Sequence, residues 1–516
     1  MKIPRQISLK KAATIILISV LLTVIGSYYV FATAPSSTFT ISPGIYPGAP
    51  SYTIWKEGSY FFAKDSNGKI AFSGDDIATV AQNVIDALPD GGKVVFKRGL
   101  YVFYSPLNIT MQKAITISGE TLFWGHQTEG KGTIFRKNFN GDLIRIFRAG
   151  SPNPQDSPMS VTIENLELDG ARRKGYTGNG IYAYHVGSLR IRNCFIHSFD
   201  GCGIYLEFVM DVRIENCAIG GCDTSNQHTT TKISEGTWLP NNIGIYVNGG
   251  WVIWIVQNGI WHNKEEGIKL TTESMWLENV WIQSNNIVWN GYNDYGAGIN
   301  ITKVTGSNPL WWIHILDNVI DENGVYGIYA QGNLTDLWIV NNQFVGNGRF
   351  KGTNTPWAIY LRGESSTYKM AGIEIYRNTI TDKWNTGQKS ISFDYVDGIR
   401  IEHNNLGINF DESTYPEIGS NNLNVIIRFN TGYVTEDWGV ATFTGDGSTD
   451  YFDIEYQLST GASVWFVTLA SYCGSDVHIM RVASITTGDS SYLRVYLSTA
   501  PEAASTVIFR WEVRAW

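Results

Sequence analysis

GIYVNGGWVIWIVQNGIWHNKEEGIKLTTESMWLENVWIQSNNIVWN, residues 244–290, repeats one phrase twice. Gly244-Ile-Tyr-Val247 returns as Gly267-Ile-Lys-Leu270, Ile253-Trp-Ile255 as Val280-Trp-Ile282, and Asn258 as Asn285. Each phrase alternates apolar residues at period two, which predicts strands with alternate side chains on opposite faces. Outward from this stretch the second phrase recurs from Val161-Thr-Ile163 to Val425-Ile-Ile427, its last apolar residues spaced 28, 23, 41, 27, 33, 24, 36, 26 and 26 apart. The first phrase interleaves with it, from Gly180-Ile-Tyr-Ala183 to Ser390-Ile-Ser-Phe393. Two strands per unit of variable length predict a coil whose turns absorb insertions. Units of 23–28 residues are too short for a four-stranded propeller blade, and no three-to-four spacing supports helical repeats. The expected fold is all-β, a right-handed parallel β-helix.

Asn258, Asn285, Asn318, Asn342, Asn378, Asn404 and Asn430 stand three residues after the second apolar position, and Leu166, Cys194 and Cys217 hold that place in earlier units. Such a column predicts an amide ladder climbing from coil to coil, with the two cysteines stacked. A second column contains Asn263, Asn290, Asn323 and Asn347, with Cys222 expected at its earlier rung. Five cysteines allow two bridges, Cys194 to Cys217 and Cys202 to Cys222, or stacked free thiols.

The ends read differently. Residues 1–34 carry Lys2, Arg5, Lys10 and Lys11 before an apolar run and Ala32-Thr33-Ala34, a signal peptide or an uncleaved membrane anchor. An N-terminal extension occupies residues 35–74, and the coil is expected over 75–435. From Asp75 and Asp76 to Leu88 the apolar spacing is helical with Asp at the cap, and Lys93-Val-Val-Phe96 opens strands. Residues 436–516 alternate between Gly, Ser, Thr and Asp turns, which predicts a C-terminal antiparallel β-sandwich module.

The capping helix, the two strand phrases and the Asn ladder resemble the pectate-lyase-like right-handed β-helix superfamily over roughly residues 70–432. The resemblance implies a helix plugging one end of the coil. It does not imply a reaction, because that superfamily contains lyases, hydrolases, epimerases, phage tailspikes and non-catalytic adhesins. The polygalacturonase-type motifs Asn-Thr-Asp, Asp-Asp, Gly-His-Gly and Arg-Ile-Lys are missing from the coil in that order, so no catalytic residue transfers.

With 39 Lys+Arg against 47 Asp+Glu the chain has a net charge of −8, which excludes a global field for nucleic acid or an anionic membrane. Membrane contact is expected only through residues 1–34, if uncleaved. The outward columns of the Gly-Ile-x strands are more informative. One runs Tyr182, Tyr205, Tyr246, Lys269, Asn300, Tyr329, Tyr360, Ser392, and the next Tyr184, Glu207, Asn248, Thr271, Thr302, Gln331, Arg362, Asp394. Aromatics beside polar groups suit sugar rings, so Tyr182, Tyr184, Tyr205, Tyr246, Asn248, Lys269, Tyr329, Tyr360 and Arg362 are the expected substrate contacts.

Glycoside hydrolysis needs two carboxyl groups. Glu207 on the strand face and Asp200 in the turn before it are the candidate catalytic pair, with capping of Arg213 as the structural reading of Glu207. A lyase would call for Ca²⁺, whereas no CxxC pair or His cluster indicates a resident metal. The other sheet exposes Arg190, Arg213, Trp254, Trp281, His314, Trp338, Glu374 and Arg400, a face for glycan or for a second copy in a homo-oligomer. The expectation is therefore an exported or cell-surface protein that binds, and in one version cleaves, an extracellular polysaccharide. The alternative is a non-catalytic adhesin or a surface-structural, tailspike-like β-helix.

Overall fold

The structure, a computed structural model, describes residues 51–516 except short stretches, the longest being 122–131, 149–159, 222–238 and 407–416, and the last two residues. Residues 1–34 and Cys222 therefore lie outside the described residues.

Each full coil lays down three strands, one more than the sequence phrases predict. Ile268–Thr271, Leu277–Gln283 and Asn286–Val288 form one coil, and Ala297–Thr302, Leu310–Leu316 and Val319–Asp321 form the next. Every strand pairs in parallel with its counterpart one coil on, as Ile268 with Ile299, Val280 with Ile313 and Ile287 with Ile320. The short third strands make a separate ten-stranded sheet. The first two merge at the strands Cys202–Glu215 and Ile243–Val256, which run across the bend between faces. Residues at that bend take left-handed backbone, among them Asp211, Val252, Asn279, Trp312 and Asp336 with φ between 50° and 59°.

Inward Ile, Leu and Val residues stack into one apolar core, continuous from Ile54 to Leu406. The helix Ile77–Asp86 packs Ile77, Val80, Ala81, Val84 and Ile85 into its start. Asp76 caps that helix, accepting from the amides of Ala78 at 3.3 Å and Thr79 at 3.0 Å. The cap is larger than the helix. Tyr52–Glu57, Tyr60–Asp65 and Ile70–Gly74 form an antiparallel meander, joined to the coil by parallel pairing of Tyr52 with Val94. Residues 52–74 are thus part of the closed end of the coil and not a separate extension, and they cover an otherwise open sheet edge.

Both amide columns form. Asn258, Asn285, Asn318, Asn342, Asn378, Asn404 and Asn430 link in series, each Nδ2 donating to the next Oδ1 at 2.9–3.0 Å. In the second column the rung before Asn263 is Asn241, whose Nδ2 donates to Asn263 Oδ1 at 3.1 Å, and Gln388 succeeds Asn347. Asn241 takes the place expected for Cys222 because the long insertion precedes the rung. Cys194 and Cys217 are stacked, buried and unbridged, with Sγ directed at the carbonyls of Arg192 and Glu215 at 3.3 Å, and Cys202 is also a free thiol.

Past the coil, two three-stranded antiparallel sheets enclose a separate core. Glu436–Thr444, Thr506–Arg514 and Val464–Tyr472 make one, and Tyr451–Tyr456, Ser490–Leu497 and Ile479–Thr487 the other. Phe452, Leu493, Val495, Phe509 and Val513 are buried between them.

Candidate functional site

Parallel pairing fixes the two outward columns residue by residue. Tyr182 pairs with Tyr205, Tyr205 with Tyr246, Tyr246 with Lys269, Lys269 with Asn300, Asn300 with Tyr329, and Tyr329 with Tyr360. In the second column Tyr184 pairs with Glu207, Glu207 with Asn248, and Gln331 with Arg362. The expected face therefore exists as one surface.

Ring orientation alters what that surface offers. Tyr205 and Tyr246 stack with centroids 4.7 Å apart at 4°, and Tyr329 and Tyr360 at 5.5 Å and 2°. Rings piled along the coil axis spend their faces on one another, leaving edges and hydroxyls for a ligand. The Lys269 ammonium lies 5.5 Å from the Tyr246 centroid and covers the end of that pile. The stacked pairs therefore turn edges and hydroxyls, and not free ring faces, to the surface.

At one end of the face a hydrogen-bond network centres on Glu207. Tyr182 donates to Oε2 at 2.8 Å, and Ser274 donates to Oε1 at 2.7 Å. Asn248 Nδ2 donates to Ser274 Oγ at 2.9 Å, and the Ser274 amide donates to Asn248 Oδ1 at 3.0 Å. The Thr271 hydroxyl stands 3.2 Å from Asn248 Oδ1 and 3.1 Å from the Tyr246 hydroxyl. Burial and the bond to Glu207 push the Tyr182 phenol well above its ordinary range, and burial pushes Tyr246 up to about 12, so both remain donors at neutral pH. Glu207 does not cap Arg213, which pairs instead with Glu215 at 2.6 Å.

Asp200 is not part of this network. It is paired with Arg172 at 3.2 Å in the turn, and the strand from Cys202 to Glu207 alone spans about 16 Å at the usual rise per residue. The proposed carboxyl pair is therefore not assembled. Tyr184 stacks on His185 at 4.0 Å, and Arg362 reaches the Tyr360 hydroxyl at 3.4 Å farther along the face.

The sequence reading missed Ser274 and Glu266. Ser274 sits in the turn after Thr271, outside any strand phrase. Glu266 is 7% exposed, accepts from Asn300 Nδ2 at 2.8 Å, and has its other oxygen buried without a hydrogen-bond partner among the described residues. Burial raises its carboxyl above the ordinary range, with Lys269 opposing the shift. The available signal was the pair Glu265-Glu266 directly before a Gly-Ile-x strand. Among the described residues, no three His, Cys, Asp or Glu side chains gather as a metal site.

No curated protein matches the chain in sequence at a significant level. Among solved structures, a DFA-IIIase from Arthrobacter chlorophenolicus A6 is 14% identical over 68% of this chain and 90% of its own, with a TM-score of 0.48. The Dettilon tailspike protein gives 13%, 85%, 90% and 0.43, and the A-module of the Azotobacter vinelandii mannuronan C-5 epimerase AlgE4 gives 15%, 70%, 95% and 0.40. Residues 153–350 match the family model for the right-handed β-helix region. With the coils described above, that match makes the chain a right-handed parallel β-helix protein.

Proposed function

We propose that this is an exported or cell-surface protein that binds an extracellular polysaccharide along the face running from Tyr182 to Arg362. The observation that carries the reading is the Glu207 network, in which phenol, carboxylate, hydroxyl and amide groups alternate on a half-buried surface. Groups so arranged exchange hydrogen bonds with successive sugar hydroxyls, and they sit at the coil spacing of about 4.8 Å. Binding is favoured over hydrolysis because Asp200, the expected partner of Glu207, is paired with Arg172 in the turn, while the one further carboxylate whose charge acts on Tyr205 and Tyr246 beside Glu207 is Glu273, next to Ser274. Export is inferred from the charged and apolar pattern of residues 1–34.

The test is a polysaccharide panel read for affinity and for released reducing ends. Glu207→Gln and Ser274→Ala are expected to weaken binding by about tenfold each, or about 1.4 kcal/mol, with an unchanged melting temperature. Unaltered affinity in both variants would remove the face from consideration. Release of reducing ends that is abolished by Glu266→Gln would replace binding by catalysis.

A further inference from the structure

On the turn side of the short-strand sheet lies an open cleft of about 590 Å³, lined by Glu322, Gly348, Arg349, Trp384, Asn385 and Thr386. Its volume is in the range of small-ligand sites. Three consecutive coils build it. Glu322 follows the strand Val319–Asp321, Arg349 follows Gln343–Val345, and Trp384 follows Thr379–Thr381. The insertions that make the 36-residue unit long supply one of its walls.

All three walls are fastened to the second amide column. Glu322 precedes the rung Asn323, Gly348 follows the rung Asn347, and the Trp384 loop ends at the rung Gln388. Within that loop the Asp382 carboxylate accepts from the amides of Thr386, Gly387 and Gln388 at 2.9, 2.8 and 3.2 Å. Trp384 lies over Gly346, whose φ is 55° and where a Cβ would come within 2.5 Å of the indole. Its indole also reaches the Asp321 carboxylate, yet the residue remains 51% exposed. The indole is thus held in place from one side by Gly346 and Asp321 while about half of the residue faces the cleft and water.

The polar groups are equally specific. Glu322 is 5% exposed and ion-paired with Arg349. Asp321 Oδ1 is buried with no hydrogen-bond partner among the described residues, and burial raises that carboxyl above its ordinary range. Lys383 stands 5.0 Å from the Trp384 ring, and with Arg349 it faces the three carboxyls Asp321, Glu322 and Asp382, so no excess of positive charge selects an anionic ligand.

We propose that this cleft is a second carbohydrate site that holds one neutral pyranose unit, with Trp384 against the ring, Arg349 and Glu322 on its hydroxyls, and Asp321 holding the indole from behind. A uronate is disfavoured because Arg349, the cation lining the cleft, is already paired with Glu322. The site lies on a different sheet from the Glu207 network, and the inference does not depend on the reading of that face.

The experiment is affinity electrophoresis of the full chain in dextran, xylan, galactan and glucomannan, with polygalacturonate as the acidic arm. Trp384→Ala is expected to lower retardation by a neutral polysaccharide at least tenfold, and the same loss should appear in a Glu207→Gln background. Trp384→Phe should retain part of the affinity, which separates loss of the ring platform from loss of the fold. Equal retardation of wild type and Trp384→Ala, retardation by polygalacturonate alone, or no retardation by any polymer would overturn the proposal. Loss in Glu207→Gln alone would support the first face and sink this one.

Discussion

Asn342 holds four hydrogen bonds at once: Nδ2 donates to Ile315 O at 2.8 Å and Asn378 Oδ1 at 3.0 Å, and Oδ1 accepts from the amide and Nδ2 of Asn318 at 2.9 Å each. Asn342→Ala leaves these partners buried and unsatisfied, and is expected to cost about 3 kcal/mol in denaturant unfolding. Asn67→Ala, on an exposed turn, should stay within about 0.5 kcal/mol of wild type. The reverse order would mean that the rungs do not support the coil. The ladder was legible because a single residue type repeats in it. The corner residue before each rung was not. Gln257, Ser284, Asp317, Asn341, Arg377, His403 and Phe429 share a φ of 55–58°, yet no chemistry is common to them. Backbone geometry imposed by stacking leaves no mark on side-chain identity there. Glu266 escaped for a related reason, since it stands in the turn before Ile268–Thr271 and not at a periodic strand position.

At the scale of the element, the outward column of the second sheet forms a continuous pile. Trp254 and Trp281 stack at 4.8 Å, Trp281 and His314 at 3.9 Å, and His314 and Trp338 at 4.5 Å, all within 11° of parallel. The pile uses the ring faces, so this column supports the sheet and does not present flat aromatic surfaces to a glycan. Burial lowers the His314 pKa below the ordinary histidine value. The unfolded chain therefore takes up the proton first as pH falls. Stability from this group is fully present above about pH 6.5 and declines as pH drops through that value. Melting temperatures of wild type should fall more steeply between pH 7.5 and 5 than those of His314→Phe, which keeps a ring but cannot titrate. Parallel curves would show that His314 is not desolvated. Period-two alternation revealed both longer strands and their outward residues, whereas three-residue strands such as Ala218–Gly220 and Gly259–Trp261 are too short to show any period. Alternation also says which way a ring projects but not whether its face is already occupied, which is why the tyrosine column was legible and the stacking of its rings was not.

For the molecule as a whole, the decisive feature is two hydrophobic cores. The coil core runs without a break from Ile54 to Leu406, and the C-terminal sheets bury a separate cluster that includes Phe452, Leu493 and Phe509. A coil transmits stability only between neighbouring turns, so a cavity in one turn weakens those stacked on it. Phe509 belongs to the C-terminal cluster and not to the coil cluster. Calorimetry is therefore expected to show two transitions, the larger from the coil. Ile315→Ala, at a fully buried position, should destabilise by about 2–5 kcal/mol and lower only the larger transition. Phe509→Ala, also fully buried, should cost about 3–5 kcal/mol. In a module of that size this corresponds to a shift of about 10 °C or more in the smaller transition. A single transition displaced by both variants would show instead that the coil and the terminal sheets unfold as one cooperative body. Cleft or face variants could then no longer be compared by melting temperature without reference to the C-terminal sheets.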